Sequence, residues 1–149
     1  MPSLARSCIV VGLSGGVDST MAAALLRAEG HEVVGVTLQV TPAGEGSGPE
    51  PAARARRVAE QLGIDHHVWD CSAEFEREVI GYFTREYQAG RTPNPCVRCN
   101  RRVKFEVLRR VATRLGAHAV ATGHYARVEP RGTRVALRRG AWRPKDQSY

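Results

Sequence analysis

Short apolar runs alternate along the chain with segments in which apolar residues recur every three or four positions. The apolar runs are rich in β-branched residues and predict strands at residues 7–13, 32–40, 64–71 and 117–122. The periodic segments predict helices at residues 19–29, 52–62, 73–88 and 103–115. Strands separated by helices favour an α/β fold with a doubly wound parallel sheet, which binds ligands at the carboxyl ends of its strands.

Three stretches interrupt this alternation. Residues 41–51 are rich in glycine and proline without periodicity, and we expect a mobile loop there. Residues 91–96 contain two prolines, which remove backbone donors and favour extended conformations, so no helix is predicted. Residues 131–139 alternate like an antiparallel ribbon. The last segment, 141–149, has no closing element, and we expect the chain to be a fragment of a longer protein.

Composition narrows the class of protein. A chain of 149 residues that is 42% hydrophobic can bury one core of ordinary size. It contains neither a membrane-length apolar run nor a signal-peptide pattern, so we expect a cytoplasmic protein that does not contact the membrane. Four cysteines are too few for a secreted disulfide scaffold. Cys8 and Cys71 fit ordinary buried positions, whereas Cys96 and Cys99 form a Cys-x-x-Cys pair.

Positive charge is concentrated in the last third of the chain. Residues 1–100 carry 9 basic and 12 acidic side chains, and residues 101–149 carry 13 basic and 3 acidic ones. This asymmetry favours a polyanionic partner, although an arginine-rich source genome explains it equally well. Of the 22 basic residues only Lys104 and Lys145 are lysines, and both lie in the motifs discussed below.

The turn after the first predicted strand carries the clearest chemical signal, Ser14-Gly15-Gly16-Val17-Asp18-Ser19. Glycines let the backbone approach an anion closely, and the amides at the start of the next helix can hold a phosphate. Asp18 would repel a phosphate unless a divalent cation lay between them, so the motif predicts Mg²⁺ as well. The simpler alternative is an N-capping turn. The motif lacks the Lys of a Walker loop and the third glycine of a dinucleotide fingerprint.

This turn resembles the PP-loop of the N-type ATP pyrophosphatases, which cleave ATP between the α and β phosphates and form an adenylated intermediate. Three further motifs resemble one branch, the MnmA-type tRNA-specific 2-thiouridylases: residues 90–100 with 103–105, residues 121–127 and residues 145–149. The resemblance covers nearly the whole chain and is poorest in residues 41–51. It implies a Rossmann-like fold of the adenine nucleotide α-hydrolase type over residues 1–127. Residues 128–149 would begin a basic, tRNA-contacting extension that is truncated here.

The resemblance also implies roles for individual residues. ATP is expected to contact a phosphate-binding set and two nucleoside-binding residues: Gly12, Leu13, Ser14, Gly15, Gly16, Val17, Asp18 and Ser19, with Leu38 and Gly123. Cys99 matches the first catalytic cysteine. The target base is expected at Asn94, Pro95 and Cys96, and tRNA at Lys145, Asp146 and Gln147. Many members of the family have Asp where this chain has Cys96, and others have Cys.

The surroundings of Cys99 favour a reactive thiolate on sequence grounds. A helix N-terminus and the neighbouring Arg98, Arg101 and Arg102 would lower its pKa. A closed zinc site is disfavoured because no second Cys or His pair with suitable spacing follows. An iron–sulfur cluster held by Cys96, Cys99 and a further cysteine outside the chain stays open as an alternative. His124 is expected to shape the nucleotide pocket rather than to catalyse.

The resemblance implies a sulfur-transfer reaction. ATP adenylates the 2-oxygen of a tRNA wobble uridine, and a persulfide sulfur supplied by a donor protein then replaces that oxygen. The family carries the persulfide on a second, downstream cysteine that this chain lacks, so we expect the isolated chain not to complete turnover. Two rivals remain at this point: another PP-loop enzyme with a small-molecule substrate, and a noncatalytic tRNA-binding fragment.

Overall fold

The computed structural model describes residues 6–41 and 50–148. Most of the predicted 41–51 loop, and Tyr149 of the last motif, lie outside the described residues. The first part of the chain alternates strands and helices: β1 (Cys8–Gly12), α1 (Val17–Ala28), β2 (Glu32–Gln39), α2 (Glu50–Leu62) and β3 (Asp65–Asp70). Each of these predicted elements is confirmed. The observed first and last residues differ from the predicted ones by no more than two positions.

Two longer helices follow, and each contains a π-helical turn. The 72–88 helix comprises α3 (Ser72–Phe75), a π turn (Glu76–Ile80) and α4 (Gly81–Gln88). The 95–114 helix comprises α5 (Pro95–Cys99), a π turn (Asn100–Lys104) and α6 (Phe105–Arg114). The strand β4 (Ala119–Thr122) closes this part of the chain. Within residues 6–41 and 50–148, no helix has the length and apolar character needed to cross a bilayer.

The start of the 95–114 helix corrects the sequence prediction, which began it at residue 103 and excluded helix from 91–96. Pro95 occupies the first helical turn, where a missing N–H costs nothing because that position has no intrahelical partner. The side chain of Asn94 caps the helix by accepting the Val97 amide at 3.2 Å. The two prolines therefore mark a helix start instead of a continuous extended loop.

The four strands form one parallel sheet in the order β3-β2-β1-β4. Alternation along the central strand β1 sends Val10 to one face and Ile9 and Val11 to the other. The 72–88 and 95–114 helices cover the Val10 face, and α1 and α2 cover the opposite face. This arrangement confirms the α/β, doubly wound parallel sheet.

A separate antiparallel hairpin follows the sheet, formed by β5 (Ala126–Arg131) and β6 (Arg134–Arg139). The predicted ribbon is therefore confirmed and begins five residues earlier than its sequence pattern indicated. After the hairpin, a short 3₁₀ turn (Arg143–Lys145) brings the chain back to the main body. There the amide of Gln147 donates to the carbonyl of Tyr125 at 2.8 Å. The boundary placed between residues 127 and 128 stays a prediction.

Candidate functional site

A cleft of about 400 Å³ lies at the carboxyl ends of β1, β2 and β4. Three walls form it: the glycine-rich turn after β1, the ends of the neighbouring strands, and the 95–114 helix. The lining residues are Gly12, Leu13, Ser14, Asp18, Ser19, Val36, Thr37, Leu38, Val40, Pro51, Lys104, Leu108, Thr122, Gly123, His124 and Gln147. The set includes seven of the ten residues predicted to bind nucleotide; Gly15, Gly16 and Val17 are not among them.

Hydrogen bonds inside the glycine-rich turn hold its shape. The buried hydroxyl of Ser19 accepts the Ser14 amide at 3.2 Å and donates to the Gly16 carbonyl at 3.1 Å. The two serine hydroxyls lie 3.1 Å apart, and the Gly16 amide donates to Ser14 Oγ at 3.3 Å. The first amides of α1 have no partner within the helix. The turn is thus a preformed site for an anion at a helix N-terminus.

Two glycines at this turn lie where a larger residue cannot. Gly15 has a φ of 75°, and a Cβ there would lie 2.8 Å from the Ala55 amide nitrogen in α2. A Cβ on Gly123 would lie 2.6 Å from the backbone of Asp18 and Ser19. The turn after β4 therefore packs directly on the first turn of α1, which joins two motifs that are a hundred residues apart in sequence.

Thr37 anchors the turn from below, and sequence reasoning missed it. Its hydroxyl donates to the Leu13 carbonyl at 2.6 Å and lies 2.8 Å from Nε2 of His66. Since the hydroxyl proton is used on Leu13, Nε2 of His66 is the donor to Thr37. Burial lowers the pKa of His66, with a smaller effect from Arg56, which agrees with a neutral ring. The only signal in the sequence is a polar residue in an otherwise apolar buried strand.

Asp18 lies at the edge of the cleft with both carboxylate oxygens engaged. The hydroxyl of Tyr125 donates to Oδ1 at 2.9 Å, and Lys145 Nζ lies 3.8 Å from Oδ2. The Lys145 ammonium also lies 4.9 Å from the centre of the Tyr125 ring. Carboxylate oxygens beside an anion cradle fit Mg²⁺ chemically, but here a phenol and an ammonium hold them.

The segment predicted to contact tRNA therefore packs on the predicted nucleotide site. Lys145 contacts Asp18, and Gln147 lines the cleft. Asp146 shapes the segment by accepting the amides of Gly140 at 2.9 Å and Ser148 at 3.2 Å. The two sets of residues, which sequence reasoning treated separately, share one surface.

His124 lines the cleft, and its predicted role in shaping a nucleotide pocket stays a prediction. Its Nδ1 lies 2.8 Å from Thr122 Oγ1, and its ring centre lies 5.4 Å from that of Phe105. Burial lowers its pKa, and the positive charge of Lys104 lowers it further. The ring is therefore neutral near pH 7 and contributes no positive charge to the cleft.

The cysteine pair lies on the first turns of the 95–114 helix, outside the set that lines the cleft. Cys96 is exposed and Cys99 is half-buried, packed against the core cluster that contains Cys71. All four cysteines are free thiols. Asn94 and Pro95, predicted with Cys96 to meet the target base, form the helix start just before it.

The expected thiolate at Cys99 is wrong for the chain in this state. Burial raises the pKa of the Cys99 thiol, and the lowering effect of Lys104 is smaller. The helix dipole acts most strongly within the first turn of a helix. Because the helix begins at Pro95, Cys99 lies beyond that turn. The guanidinium of Arg98 is directed to other partners than the Cys99 thiol. It pairs with Glu78 at 2.9 Å and stacks 4.8 Å from the Tyr82 ring centre.

The described residues do not by themselves build a metal centre from these cysteines. Across residues 6–41 and 50–148, no group of three or more His, Cys, Asp or Glu side chains is arranged to hold a metal ion. An iron–sulfur cluster needs about four thiolate ligands. The Cys96–Cys99 pair supplies two, so a cluster would need ligands from outside this set.

Comparison with known families and proteins gives consistent matches. The family described as "tRNA methyl transferase HUP domain" matches residues 7–149. A "tRNA-specific 2-thiouridylase MnmA" of Geobacter metallireducens is 52% identical over 161 aligned positions, which cover 100% of this chain and 44% of that protein. The protein of the same name from Syntrophotalea carbinolica is 54% identical, covering 95% of this chain and 41% of its own length. The chain thus spans about two fifths of these relatives.

Solved structures share the fold at low sequence identity. The "U34-tRNA thiolase NcsA from Methanococcus maripaludis with its [4Fe-4S] cluster" matches with a TM-score of 0.59 and 23% identity, over 80% of this chain and 39% of that one. A "4-thiouridine synthetase - RNA complex with bound ATP" matches with a TM-score of 0.57 and 23% identity, over 79% and 29% respectively. At this identity the likeness establishes the fold alone.

Proposed function

We propose a function for this chain from the premise that it belongs to the tRNA methyl transferase HUP domain family. The chain binds ATP in the cleft and provides the nucleotide-activating part of a tRNA-uridine 2-sulfurtransferase, a transferase that acts in the cytoplasm. Relatives about half identical in sequence carry the name tRNA-specific 2-thiouridylase. Because the chain spans about two fifths of their length, sulfur transfer belongs to a longer protein.

The glycine-rich turn is the observation that carries the proposal. Its serine hydrogen bonds and the free first-turn amides of α1 form a cradle for an anion at the carboxyl edge of a parallel sheet. Leu38 and Gly123 line the same cleft on either side of the turn, where a nucleoside would lie. The phosphates of ATP then rest on residues 12–19.

Adenylation follows from placing these groups together. The 2-oxygen of a tRNA uridine attacks the α-phosphorus of ATP, the bond to the β-phosphate oxygen breaks, and pyrophosphate leaves. The uridine oxygen is then part of a good leaving group. Mg²⁺, when bound, screens the phosphate charge, and Asp18 would hold it after exchanging its contacts with Tyr125 and Lys145.

Cys99 is the catalytic thiol in this proposal. Its position on the same helix as Lys104, which lines the cleft, supports this role. A persulfide carrier protein loads the sulfur onto a second cysteine of the longer protein. The outer persulfide sulfur attacks the activated uridine carbon and expels AMP. The Cys99 thiolate then attacks the inner sulfur and forms a disulfide with the second cysteine, while the bond between the two persulfide sulfurs breaks and 2-thiouridine leaves. Asn94, Pro95 and Cys96 meet the base, while Lys145, Asp146 and Gln147 contact the tRNA.

Pyrophosphate release tests the proposal directly. We expect the chain, with ATP and Mg²⁺, to release pyrophosphate in proportion to added tRNA and to stop when Asp18 is changed to Asn. Arg143→Gln, an exposed neighbour of Lys145 outside the cleft, serves as the control and should keep the activity. Release without tRNA would favour a small-molecule substrate. Binding of tRNA without ATP binding would leave a noncatalytic tRNA-binding fragment.

An iron–sulfur enzyme is the second candidate, favoured by the exposed Cys96 one helical turn from Cys99. The cluster would bind these two thiolates and ligands supplied from elsewhere. Anaerobic reconstitution with iron and sulfide, followed by visible absorption, distinguishes the two candidates. Absorption that depends on both Cys96 and Cys99 supports the cluster, and its absence supports thiol chemistry.

A further inference from the structure

Lys104 projects from the π turn of the 95–114 helix into the wall of the cleft, facing the glycine-rich turn. It lines the cleft together with Gly12, Thr122 and Leu108, the last of these one helical turn further along the same helix. Close packing fixes that side of the helix, because a Cβ on Gly12 would lie 3.1 Å from Leu108 Cδ1. π turns inside helices frequently occur at functional sites, since they change the direction of a side chain.

Among the described residues that line the cleft, Lys104 is the only one with a cationic side chain. His124 is neutral there, and Lys145 lies outside the lining set, on Asp18. Arg98 and Arg110 of the 95–114 helix, by contrast, are paired with Glu78 and Glu74 respectively. Within the described part of the chain, the half-buried Lys104 forms no ion pair. A half-buried ammonium without an anion, in a concave site, points to an anionic ligand.

The positive charge of Lys104 lowers the pKa of the Cys99 thiol, on the preceding turn of the same helix, and the pKa of His124. The His124 ring packs against Phe105, the residue after Lys104, with 5.4 Å between the ring centres. Lys104 and His124 therefore belong to the same wall of the cleft. In the proposed function the nucleoside lies at Leu38 and Gly123. The α-phosphate, which is bonded to the nucleoside, is then the phosphate on the Thr122 side of the turn, where Lys104 lines the cleft.

We propose that Lys104 is a further catalytic residue, whose ammonium binds the nonbridging oxygens of the α-phosphate of ATP opposite the glycine-rich turn. This rests on the proposed function, since it presupposes ATP in the cleft. Lys104 stays protonated throughout. As the uridine oxygen attacks and the bond to pyrophosphate breaks, negative charge grows on these oxygens, and a fixed cation stabilises it.

Ligand binding to purified chain variants tests this assignment without requiring turnover. Lys104→Met keeps the length of the side chain and removes its charge. We expect about tenfold weaker binding of both ATP and AMP by calorimetry, and unchanged binding of adenosine and of pyrophosphate, which lack the α-phosphate. Lys104→Arg should recover most of the loss. Arg102→Met, exposed on the same π turn, is the matched control and should bind all four ligands like the parent chain.

Each outcome bears on the proposal. Unchanged ATP and AMP binding in Lys104→Met, or an equal loss for adenosine, would overturn it. A loss confined to pyrophosphate and ATP would assign Lys104 to the β and γ phosphates instead. If the parent chain bound no ATP at all, the proposed function itself would fail, which is distinguishable from a failure of Lys104 alone.

Discussion

The glycine-rich turn in the cleft and the cysteine pair outside it differ in how far they are prepared for chemistry. The glycine-rich turn has its serine hydroxyls satisfied, rests on Thr37, and packs against Gly123 without room for a methyl group. At the cysteine pair, Cys96 is exposed, and Cys99 is a half-buried thiol whose pKa burial has raised. The glycine-rich turn is preorganised to hold an anion, whereas the cysteine pair is not preorganised as a thiolate.

This difference follows from the chemistry of the two tasks. Phosphate recognition needs fixed N–H groups and gains from rigidity before the ligand arrives. A persistent thiolate would react with oxidants before any substrate was bound, and thiolate character increases susceptibility to oxidation. A raised pKa favours the thiol over the thiolate at Cys99 and so limits its oxidation. The comparison predicts that substitutions at the glycine-rich turn affect ATP binding strongly. Substitutions at exposed contacts, such as the Lys145–Asp18 pair, should affect it weakly.

The largest effect is expected from Gly123→Ala. The added Cβ would lie 2.6 Å from the backbone of Asp18 and Ser19, so the first turn of α1 must move. We expect about 100-fold weaker ATP binding by calorimetry and a loss of about 1–3 kcal/mol in the free energy of unfolding, as is typical of overpacking. Chemical denaturation measures the second quantity.

Gly81→Ala is the matched control for this substitution. Its Cβ would meet the flexible end of Arg85 at 3.2 Å, and alanine favours a helix more than glycine does. It should leave ATP binding unchanged and keep or slightly raise stability. Equal ATP affinity in Gly123→Ala and the parent chain would show that the cradle is not preorganised.

An intermediate effect is expected in the pH dependence of thiol alkylation. Since burial raises the pKa of Cys99, its alkylation rate should rise only at pH values above the ordinary thiol range. Lys104→Met should move that rise to still higher pH, because the lost cation favours the thiolate. Mass spectrometry resolves the sites, and a Cys99 profile below the ordinary range would contradict the comparison.

The smallest effect is expected from Lys145→Met. The Lys145–Asp18 pair is half-exposed and 3.8 Å long, so it contributes little to stability. Its removal frees one oxygen of Asp18, and we expect Mg–ATP to bind about twofold more tightly, a change near the lower limit of surface ion pairs. Arg143→Met, in the same 3₁₀ turn, is the control. Weaker Mg–ATP binding in Lys145→Met would mean that Lys145 itself contacts the nucleotide.

Local pattern was sufficient for most of the fold. Apolar runs and helical spacing predicted four strands and the helices around them, because each buried strand and each helix face must supply its own apolar surface. The start of the 95–114 helix was missed because proline both ends helices and suits the first turn of a helix. The choice between these two outcomes depends on the side chain of Asn94, which caps the Val97 amide in the folded chain.

The sequence by itself determined the parallel α/β architecture and the position of the glycine-rich turn that we propose to bind phosphate, since both depend on residues close together in the chain. Tertiary structure decided the rest of the site. It set the Thr37–Leu13 contact, the docking of Gly123 on α1, the pairing of Lys145 with Asp18, and the protonated state of Cys99. These depend on burial and on contacts between distant segments, and neither is encoded in local spacing.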